Sequence, residues 1–109
     1  MILSTTDFVP GRQVVEVLGL VRGNTVRARH VGRDITAGLR HLVGGEIEEY
    51  TKVMAEAREQ ALDRMTEQAV ALGADAVLMV RFSSAEVMRN AAEVIAYGTA
   101  VRLAPAGKD

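Results

Sequence analysis

The sequence predicts a two-layer α+β domain in which one long helix packs on a mostly antiparallel three-stranded sheet. Two observations support this fold class. An uninterrupted helical pattern runs from Glu46 to Leu72, and the segments before and after it are rich in β-branched residues. The 109 residues suffice for one domain, so residues 1–109 are expected to form a single unit. The predicted order of elements is strand, helix, strand, strand.

The first main strand is predicted over Gln13–Val26, after a short strand in Ile2–Thr5 and a turn at Pro10–Gly11. Its first half is apolar on both faces, with Val15, Val17 and Val21 on one face and Val14, Leu18 and Leu20 on the other. Fourteen residues would span about 46 Å, so we expect a bend at Gly19 or Gly23, or a hairpin turn at Gly23–Asn24. A strand that is apolar on both faces needs cover on both sides.

The long helix repeats apolar residues at steps of three and four from Ile47 to Leu72, with charged residues opposite. Before it, Asp34 is predicted to cap a short helix that ends at Gly44–Gly45, and Gly73 is predicted to stop the long one. The long helix would be about 40 Å long, whereas nine-residue strands span about 30 Å. We therefore expect the helix to overhang its sheet and to contact a second subunit.

The last two strands are predicted over Asp75–Ser83 and Glu93–Leu103, joined by a loop or a distorted hairpin. In the former, Ala76, Leu78, Val80 and Phe82 are predicted on one face and Val77, Met79 and Arg81 on the other. In the latter, one face consists of the small residues Val94, Ala96, Gly98 and Ala100. Such a flat face favours close packing.

Composition excludes several classes of function. The formal net charge is -1, which gives no electrostatic footprint for nucleic acid. Cysteine is absent, which rules out disulfides and thiolate metal sites. The N-terminus lacks the basic and long apolar regions of a signal peptide, and no uncharged run approaches the length of a membrane span. We expect a cytoplasmic protein without a membrane partner.

The candidate ligand-binding set comprises Arg33, Asp34, Arg40, Glu46 and Tyr50. Arginine suits bidentate binding of carboxylate or phosphate, and Gly44–Gly45 leads into the N-terminus of the long helix, where backbone N–H groups can bind an anion. The competing interpretation is structural. Glu46 itself complements the helix dipole, and buried ion pairs, such as Arg81 with Glu93 across strands, would account for the remaining charges.

Metal binding and catalysis have less support in the residues. The chain has two histidines, His30 and His41, a poor supply of ligands for a soft metal, although ring symmetry could multiply one carboxylate into a site for a hard cation. No base lies at a diagnostic spacing from the hydroxyls of Ser4, Thr5 and Thr6. No catalytic residue is predicted, and the residues identify no cofactor or metal.

Ten distinct short motifs are spread over nearly the whole chain: Ser4-Thr5-Thr6, Leu18-Gly19, Gly23-Asn24-Thr25-Val26-Arg27, Gly32-Arg33-Asp34-Ile35, Val43-Gly44-Gly45-Glu46 with Tyr50, Ala57-Arg58, Arg64-Met65, Leu72-Gly73-Ala74-Asp75-Ala76-Val77, Val80-Arg81-Phe82 and Ala96-Tyr97-Gly98-Thr99-Ala100-Val101. Together they make the chain resemble the YbjQ-like family, small bacterial proteins also labelled "putative heavy-metal-binding domain". The resemblance implies a dodecin-subunit-like fold that assembles as a ring, expected to be a pentamer. It implies no established activity and no metal ligand set.

The sequence therefore favours a ring-forming cytoplasmic homo-oligomer whose main partner is itself, with a small ligand or metal ion held at subunit interfaces. Two alternatives stay open at this point. One is a purely structural assembly protein, and the other is an enzyme with a composite interface site. A polar pocket that spans two chains would separate the first alternative from the other interpretations.

Overall fold

The computed structural model describes residues 1–28, 45–88 and 91–106, with the backbone alone described for residues 28 and 45–50. The elements are β1 (Ile2–Leu3), β2 (Val14–Ala28), α1 (Gly45–Ala71), β3 (Ala76–Met88) and β4 (Ala91–Leu103). The described strands form one sheet in the order β1-β3-β4-β2, in which β1 runs parallel to β3 and the other pairs are antiparallel. The predicted α+β class is confirmed. The predicted three-stranded sheet is wrong, because β1 adds a parallel fourth strand.

The chain before β2 forms a strap along the outer side of β3. The Ser4 N–H donates to the Val77 carbonyl oxygen at 2.9 Å, and the Val80 N–H donates back to the Ser4 carbonyl oxygen at 2.9 Å. The Met79 N–H donates to the Thr6 carbonyl oxygen at 3.0 Å. The strap thus follows β3 only as far as Val80.

Strand β2 bends at two bulges. The register with β4 shifts between Val14 and Glu16 and again between Val17 and Gly19, where Gly19 has a φ of 121°. A bend at Gly19 is therefore confirmed, but the predicted hairpin at Gly23–Asn24 is wrong because both residues pair with β4. The extra residue also changes the faces: Val17 is exposed and Val21 is fully buried, so their predicted shared face is wrong.

A third bulge moves Arg81 to an unexpected place. The register of β3 with β4 shifts between Leu78 and Arg81, where Met79 has a φ of 57°. Arg81 therefore lies on the face of Leu78 and donates to the Thr5 carbonyl oxygen at 2.9 Å. Glu93 lies opposite Ala85 and accepts a bond from Asn24 Nδ2 at 3.1 Å. The predicted Arg81–Glu93 pair is wrong because the strand register separates the two residues.

The main core lies between α1 and one face of the sheet. The helix contributes Ala57, Ala61, Met65 and Ala69, and the sheet contributes Val21, Val77, Val80, Val94, Ala96 and Ala100. Small residues let the layers approach closely, as the flat face of β4 predicted. The extreme case is Gly23, where a Cβ would lie 2.1 Å from the Ala61 carbonyl oxygen. Only glycine fits beneath the helix at this point.

The C-terminus of α1 has the predicted glycine stop. Gly73 adopts a φ of 80° and donates its N–H to the Val70 carbonyl oxygen at 2.9 Å. The Ala74 N–H donates to the Ala69 carbonyl oxygen at 3.1 Å, which completes a Schellman motif. The chain then turns directly into β3.

The other face of the sheet has a small core at one end only. It contains Ala76, Leu78, Val101 and Leu103, against which Ile2, Val9 and Val14 pack. These residues bring the N-terminal segment over the sheet. The rest of this face, called here the open face, carries no described helix.

The relative lengths of helix and strands correct the predicted overhang. Strand β2 has 15 residues, which corresponds to about 50 Å, and the 27 residues of α1 correspond to about 40 Å. The strands are longer than predicted because β3 continues to Met88 and β4 begins at Ala91. The sheet therefore extends past the helix, so the overhang of the helix is not an argument for assembly.

Candidate functional site

The predicted ligand-binding set falls largely outside the described residues. Arg33, Asp34 and Arg40 lie in the segment 29–44, as does the predicted short helix. Glu46 and Tyr50 lie in the first two turns of α1, where only the backbone is described. The grouping of these five residues stays a prediction.

The described part of the chain offers no cluster of metal ligands. Residues 1–28, 45–88 and 91–106 contain no group of three or more His, Cys, Asp or Glu that could hold a metal ion. Both histidines lie in the segment 29–44, and the whole sequence lacks cysteine. The described residues therefore do not fit a heavy metal, which prefers thiolate and imidazole ligands.

The hydroxyl groups near the N-terminus stabilise a turn. Ser4 Oγ lies 2.6 Å from Thr6 Oγ1, and the Thr6 N–H donates to Ser4 Oγ at 3.1 Å. Thr6 Oγ1 donates its one proton to the Phe8 carbonyl oxygen at 2.6 Å. The hydrogen bond between the two hydroxyl groups is therefore donated by Ser4 Oγ and accepted by Thr6 Oγ1. These contacts are those of a local turn, so the described hydrogen bonds give this motif a structural role.

An open cleft of about 460 Å³ lies where the end of β2 meets α1. Its lining residues are Arg27, Ala55, Glu56, Glu59, Gln60 and Asp63. Arg27 Nη2 donates to Gln60 Oε1 at 2.9 Å, and Arg27 Nε is enclosed without a hydrogen-bond partner among the described residues. Three exposed carboxylates outnumber the guanidinium, so the charge of this cleft favours a cation over the anion expected at the predicted site.

Large apolar side chains are exposed on the open face. Val17 is 66% exposed, Leu20 67% and Val26 59%. The neighbouring strand adds Ile95 and Tyr97, which are paired with Asn24 and Arg22. Arg22 and Asn24 lie between Leu20 and Val26 on this face, so the exposed apolar side chains are interspersed with polar ones. Several large exposed apolar side chains on one face of a sheet nevertheless indicate a site of interaction.

Three polar side chains of α1 follow the free edge of β2. Gln68 Oε1 accepts the Arg22 backbone N–H at 2.8 Å, and Arg64 Nη1 donates to the Asn24 carbonyl oxygen. Gln60 accepts from Arg27 one turn earlier along the helix. Sequence reasoning missed this row, here called the edge ladder, although Gln60, Arg64 and Gln68 recur at the four-residue spacing of one helix stripe.

Comparisons with known proteins agree on one family. The model of a family described as "Putative heavy-metal-binding", YbjQ, matches residues 1–104. A UPF0145 protein from the archaeon Halorubrum lacusprofundi is 62% identical over 103 residues, covering 94% of this chain and 99% of the relative. One from the bacterium Thermus thermophilus is 58% identical over 106 residues, covering 97% and 93%. Relatives of this chain therefore occur in archaea as well as in bacteria.

A solved structure supports the fold alone. The crystal structure of a protein of unknown function from Pediococcus pentosaceus, assigned to the DUF74 family, matches with a TM-score of 0.59 at 14% identity. The match covers 95% of this chain and 98% of the other.

No helix in the described ranges of this chain combines the length and the hydropathy that a membrane span requires.

Proposed function

The chain belongs to the YbjQ-like family, and from that premise we propose that it acts as a homo-oligomeric module in which another copy covers the open face of each sheet. One observation carries the proposal: Val17, Leu20 and Val26 expose most of their apolar surface on that face. Full burial of a Val or Leu side chain contributes about 1.5–3 kcal/mol, so covering these three residues would contribute several kcal/mol per subunit.

The shape of the protomer also supports assembly. Its radius of gyration is 18.2 Å, whereas a compact chain of this length has a radius near 13 Å. The extents are 62 × 22 × 16 Å, and the 15 residues of β2 alone account for about 50 Å of the longest dimension. A thin, elongated protomer has little interior of its own, so contacts between copies would supply the missing burial.

The finer features of the proposal come from the family resemblance. A ring is the expected assembly, with five subunits and a dodecin-like protomer, in the cytoplasm. In such a ring, we propose that the neighbouring protomer closes the cleft beside Arg27, which would place a small ligand or ion at the subunit boundary. The predicted set Arg33, Asp34, Arg40, Glu46 and Tyr50 belongs to this part of the proposal.

The heavy-metal label finds no support in the described residues, so a metal is not included in the proposed module. The carboxylates Glu56, Glu59 and Asp63 line the cleft beside Arg27 but do not form a group that could hold a metal ion. Repetition of this cleft around a ring would give several equivalent clefts. The charge of the cleft gives a preference for a small organic cation such as an amine.

Native mass spectrometry combined with sedimentation tests the proposed assembly. The wild-type protein should be an oligomer at micromolar concentration, and Val17→Glu should dissociate it because a charge would enter the covered face. Val70→Glu is the matched control, since Val70 is a similarly exposed valine on α1. An oligomer that keeps its mass with Val17→Glu, or a wild-type monomer, would contradict the proposal.

The same spectra separate the alternatives. A small species that stays bound to the intact oligomer supports a binding module, and an oligomer that carries nothing supports a purely structural assembly protein. An enzyme with a composite interface site would in addition need a nucleophile and a base at the boundary between copies. In the described residues the hydroxyls of Ser4 and Thr6 do not meet that requirement, because they bond to each other and to backbone.

A further inference from the structure

Three polar side chains form a row across the open face of the sheet. Tyr97 of β4 lies directly opposite Arg22 of β2 on one side and directly opposite Arg81 of β3 on the other. The residue that precedes each of them belongs to the main core beneath the helix. Successive side chains of a strand alternate between the two faces, so these three side chains lie on the open face. They are called here the arginine row.

The spacing of the row brings the two arginines within reach of one ligand. Directly opposed residues on adjacent antiparallel strands have Cα atoms about 5 Å apart, so the Cα atoms of Arg22 and Arg81 are about 10 Å apart. That distance is shorter than the combined reach of two arginine side chains. Tyr97 between them is 38% exposed, and both arginines are exposed. A small anion above Tyr97 can therefore contact both guanidinium groups.

The guanidinium of Arg81 is held in place by backbone oxygens rather than by an acid. Its Nη1 donates to the carbonyl oxygens of Thr5 and Val80, at 2.9 Å in each case. Asp7, further along the strap, forms no ion pair with it within the described ranges. Nε and Nη2 have no partner among the described residues, and these two nitrogens donate side by side along one edge of the guanidinium. The strap thus fixes Arg81 and leaves a bidentate edge free.

The row carries two positive charges that no described carboxylate neutralises. In the part of the chain that the structure describes, the ion pair is that of Arg102 with Glu16, and neither residue belongs to the row. The acid of β4 is Glu93, which lies four residues from Tyr97, or about 13 Å, and accepts a bond from Asn24. The field above the row is therefore positive and favours an anion.

We propose that the arginine row binds a phosphate group. A carboxylate has two oxygen atoms, which one guanidinium edge occupies, whereas a phosphate group has further oxygen atoms for a second guanidinium and for the Tyr97 hydroxyl. The planar fork of arginine suits this kind of recognition. The site is independent of the proposed assembly, because one chain supplies all three residues. Where another copy covers the open face, a bound phosphate would neutralise charges that are costly to bury unpaired.

Phosphate binding by the wild-type protein tests the inference. Isothermal titration calorimetry with inorganic phosphate at about pH 8, where the dianion predominates, should show saturable binding of one phosphate per chain. NaCl keeps the ionic strength constant, so that a response to screening alone is excluded. Acetate, titrated in the same way, should bind about tenfold more weakly or less. The absence of saturable phosphate binding, or acetate binding as tight as that of phosphate, overturns the inference.

Arg22→Met is the decisive variant. Arg22 contacts α1 through its backbone N–H, and its guanidinium has no partner in the described ranges, so the variant should stay folded by circular dichroism. Its phosphate affinity should fall by about tenfold or more, because one of two charged donors is lost. Arg102→Met is the matched control, since it removes the same charge from an exposed arginine already paired with Glu16, and its affinity should be nearly unchanged. Equal losses in the two variants would indicate a response to net charge and would refute the site.

Arg81 also holds the strap, so two substitutions separate its roles. Arg81→Met should lower stability as well as phosphate affinity, because the bonds to the Thr5 and Val80 carbonyl oxygens are lost. Arg81→Lys keeps the charge and a donor for one carbonyl oxygen, but it has no bidentate edge. Arg81→Lys should therefore stay folded and bind phosphate several-fold more weakly than the wild type. A folded Arg81→Lys protein with the wild-type phosphate affinity would contradict the inference.

A second probe identifies the source of the phosphate group. Phenyl phosphate is a monoester whose ring can stack on Tyr97, so tighter binding than that of inorganic phosphate supports a phosphate monoester as the ligand. Equal affinity of the two probes supports free phosphate. The proposed assembly is judged separately by native mass spectrometry. A wild-type oligomer that binds neither probe contradicts the phosphate site alone, and a wild-type monomer that binds phosphate contradicts the assembly alone.

Discussion

The two faces of the sheet use the same kinds of residue for different purposes. Toward the helix, Val21, Ala96 and Ala100 are fully buried, and glycine and alanine bring the layers close together. Away from the helix, Val17 and Leu20 are larger on average and yet exposed. The helix therefore buries one face of the sheet within a single chain. On the open face, no described residue of the same chain covers Val17 and Leu20. A second chain is the simplest source of that cover.

The largest loss of stability is expected at Gly23, where the sheet and the helix approach most closely. Gly23→Ala would place a Cβ at 2.1 Å from the Ala61 carbonyl oxygen and 2.5 Å from the Met65 nitrogen, both backbone atoms that cannot move aside. The helix must shift outward, and we expect a loss of about 3 kcal/mol or more in unfolding free energy. Urea unfolding followed by circular dichroism measures this loss.

Gly11→Ala serves as a contrast, since Gly11 has open space around its Cβ position. Its φ of 75° makes alanine strained, and a loss of about 1 kcal/mol is expected there. Equal losses at Gly23 and Gly11 would show that the close approach of the helix is not the controlling contact on this face.

A pair of valines compares the two faces directly. Val21→Ala removes two methyl groups from the main core and should cost about 2 kcal/mol at any protein concentration. Val17→Ala should cost little in a monomer, but its cost should grow with protein concentration if a second copy covers the open face. Denaturant midpoints measured across a hundredfold range of concentration give both values. Concentration-independent midpoints for Val17→Ala and the wild type would refute cover by a second copy.

Much of this fold could be predicted from the sequence. The period of apolar residues and Gly73 gave the helix to within one residue of Gly45–Ala71, and the small-residue face of β4 was found. The errors in the side-chain faces share a physical cause. A bulge adds one residue and inverts every later face, and neither the bulge in β2 near Gly19 nor the one at Met79 in β3 has a unique local signal.

The candidate site could be predicted less well. Its arginines, Arg33 and Arg40, lie outside the described residues, while the cleft beside Arg27 and the edge ladder depend on the position of α1 over the end of β2. Positions across two elements are set by tertiary packing, which residue spacing within one element does not encode. The four-residue repeat of Gln60, Arg64 and Gln68 indicates a helix stripe, but not that the stripe faces a strand edge.

Removal of one side chain of the edge ladder should lower the unfolding free energy by a smaller amount. Gln68→Ala removes the acceptor for the Arg22 N–H, at an exposed site where water can replace it. We expect a loss of about 0.5–1.5 kcal/mol and a greater tendency to associate through the uncovered edge of β2. Light scattering at rising concentration reports the second effect. Glu67→Ala, at an exposed neighbouring position of the helix, is the control and should leave association unchanged.

The smallest effect is expected at Arg102 and Glu16, which form an ion pair between β4 and β2. Their side chains are 55% and 48% exposed, so water and salt screen the attraction. Arg102→Met should therefore lower the unfolding free energy by less than about 1 kcal/mol, and the difference from wild type should shrink as NaCl is raised. Thermal unfolding at low and high salt measures both. A loss of several kcal/mol that persists at high salt would mean that a second chain buries the pair, and the interface would then extend beyond the open face to the beginning of β2.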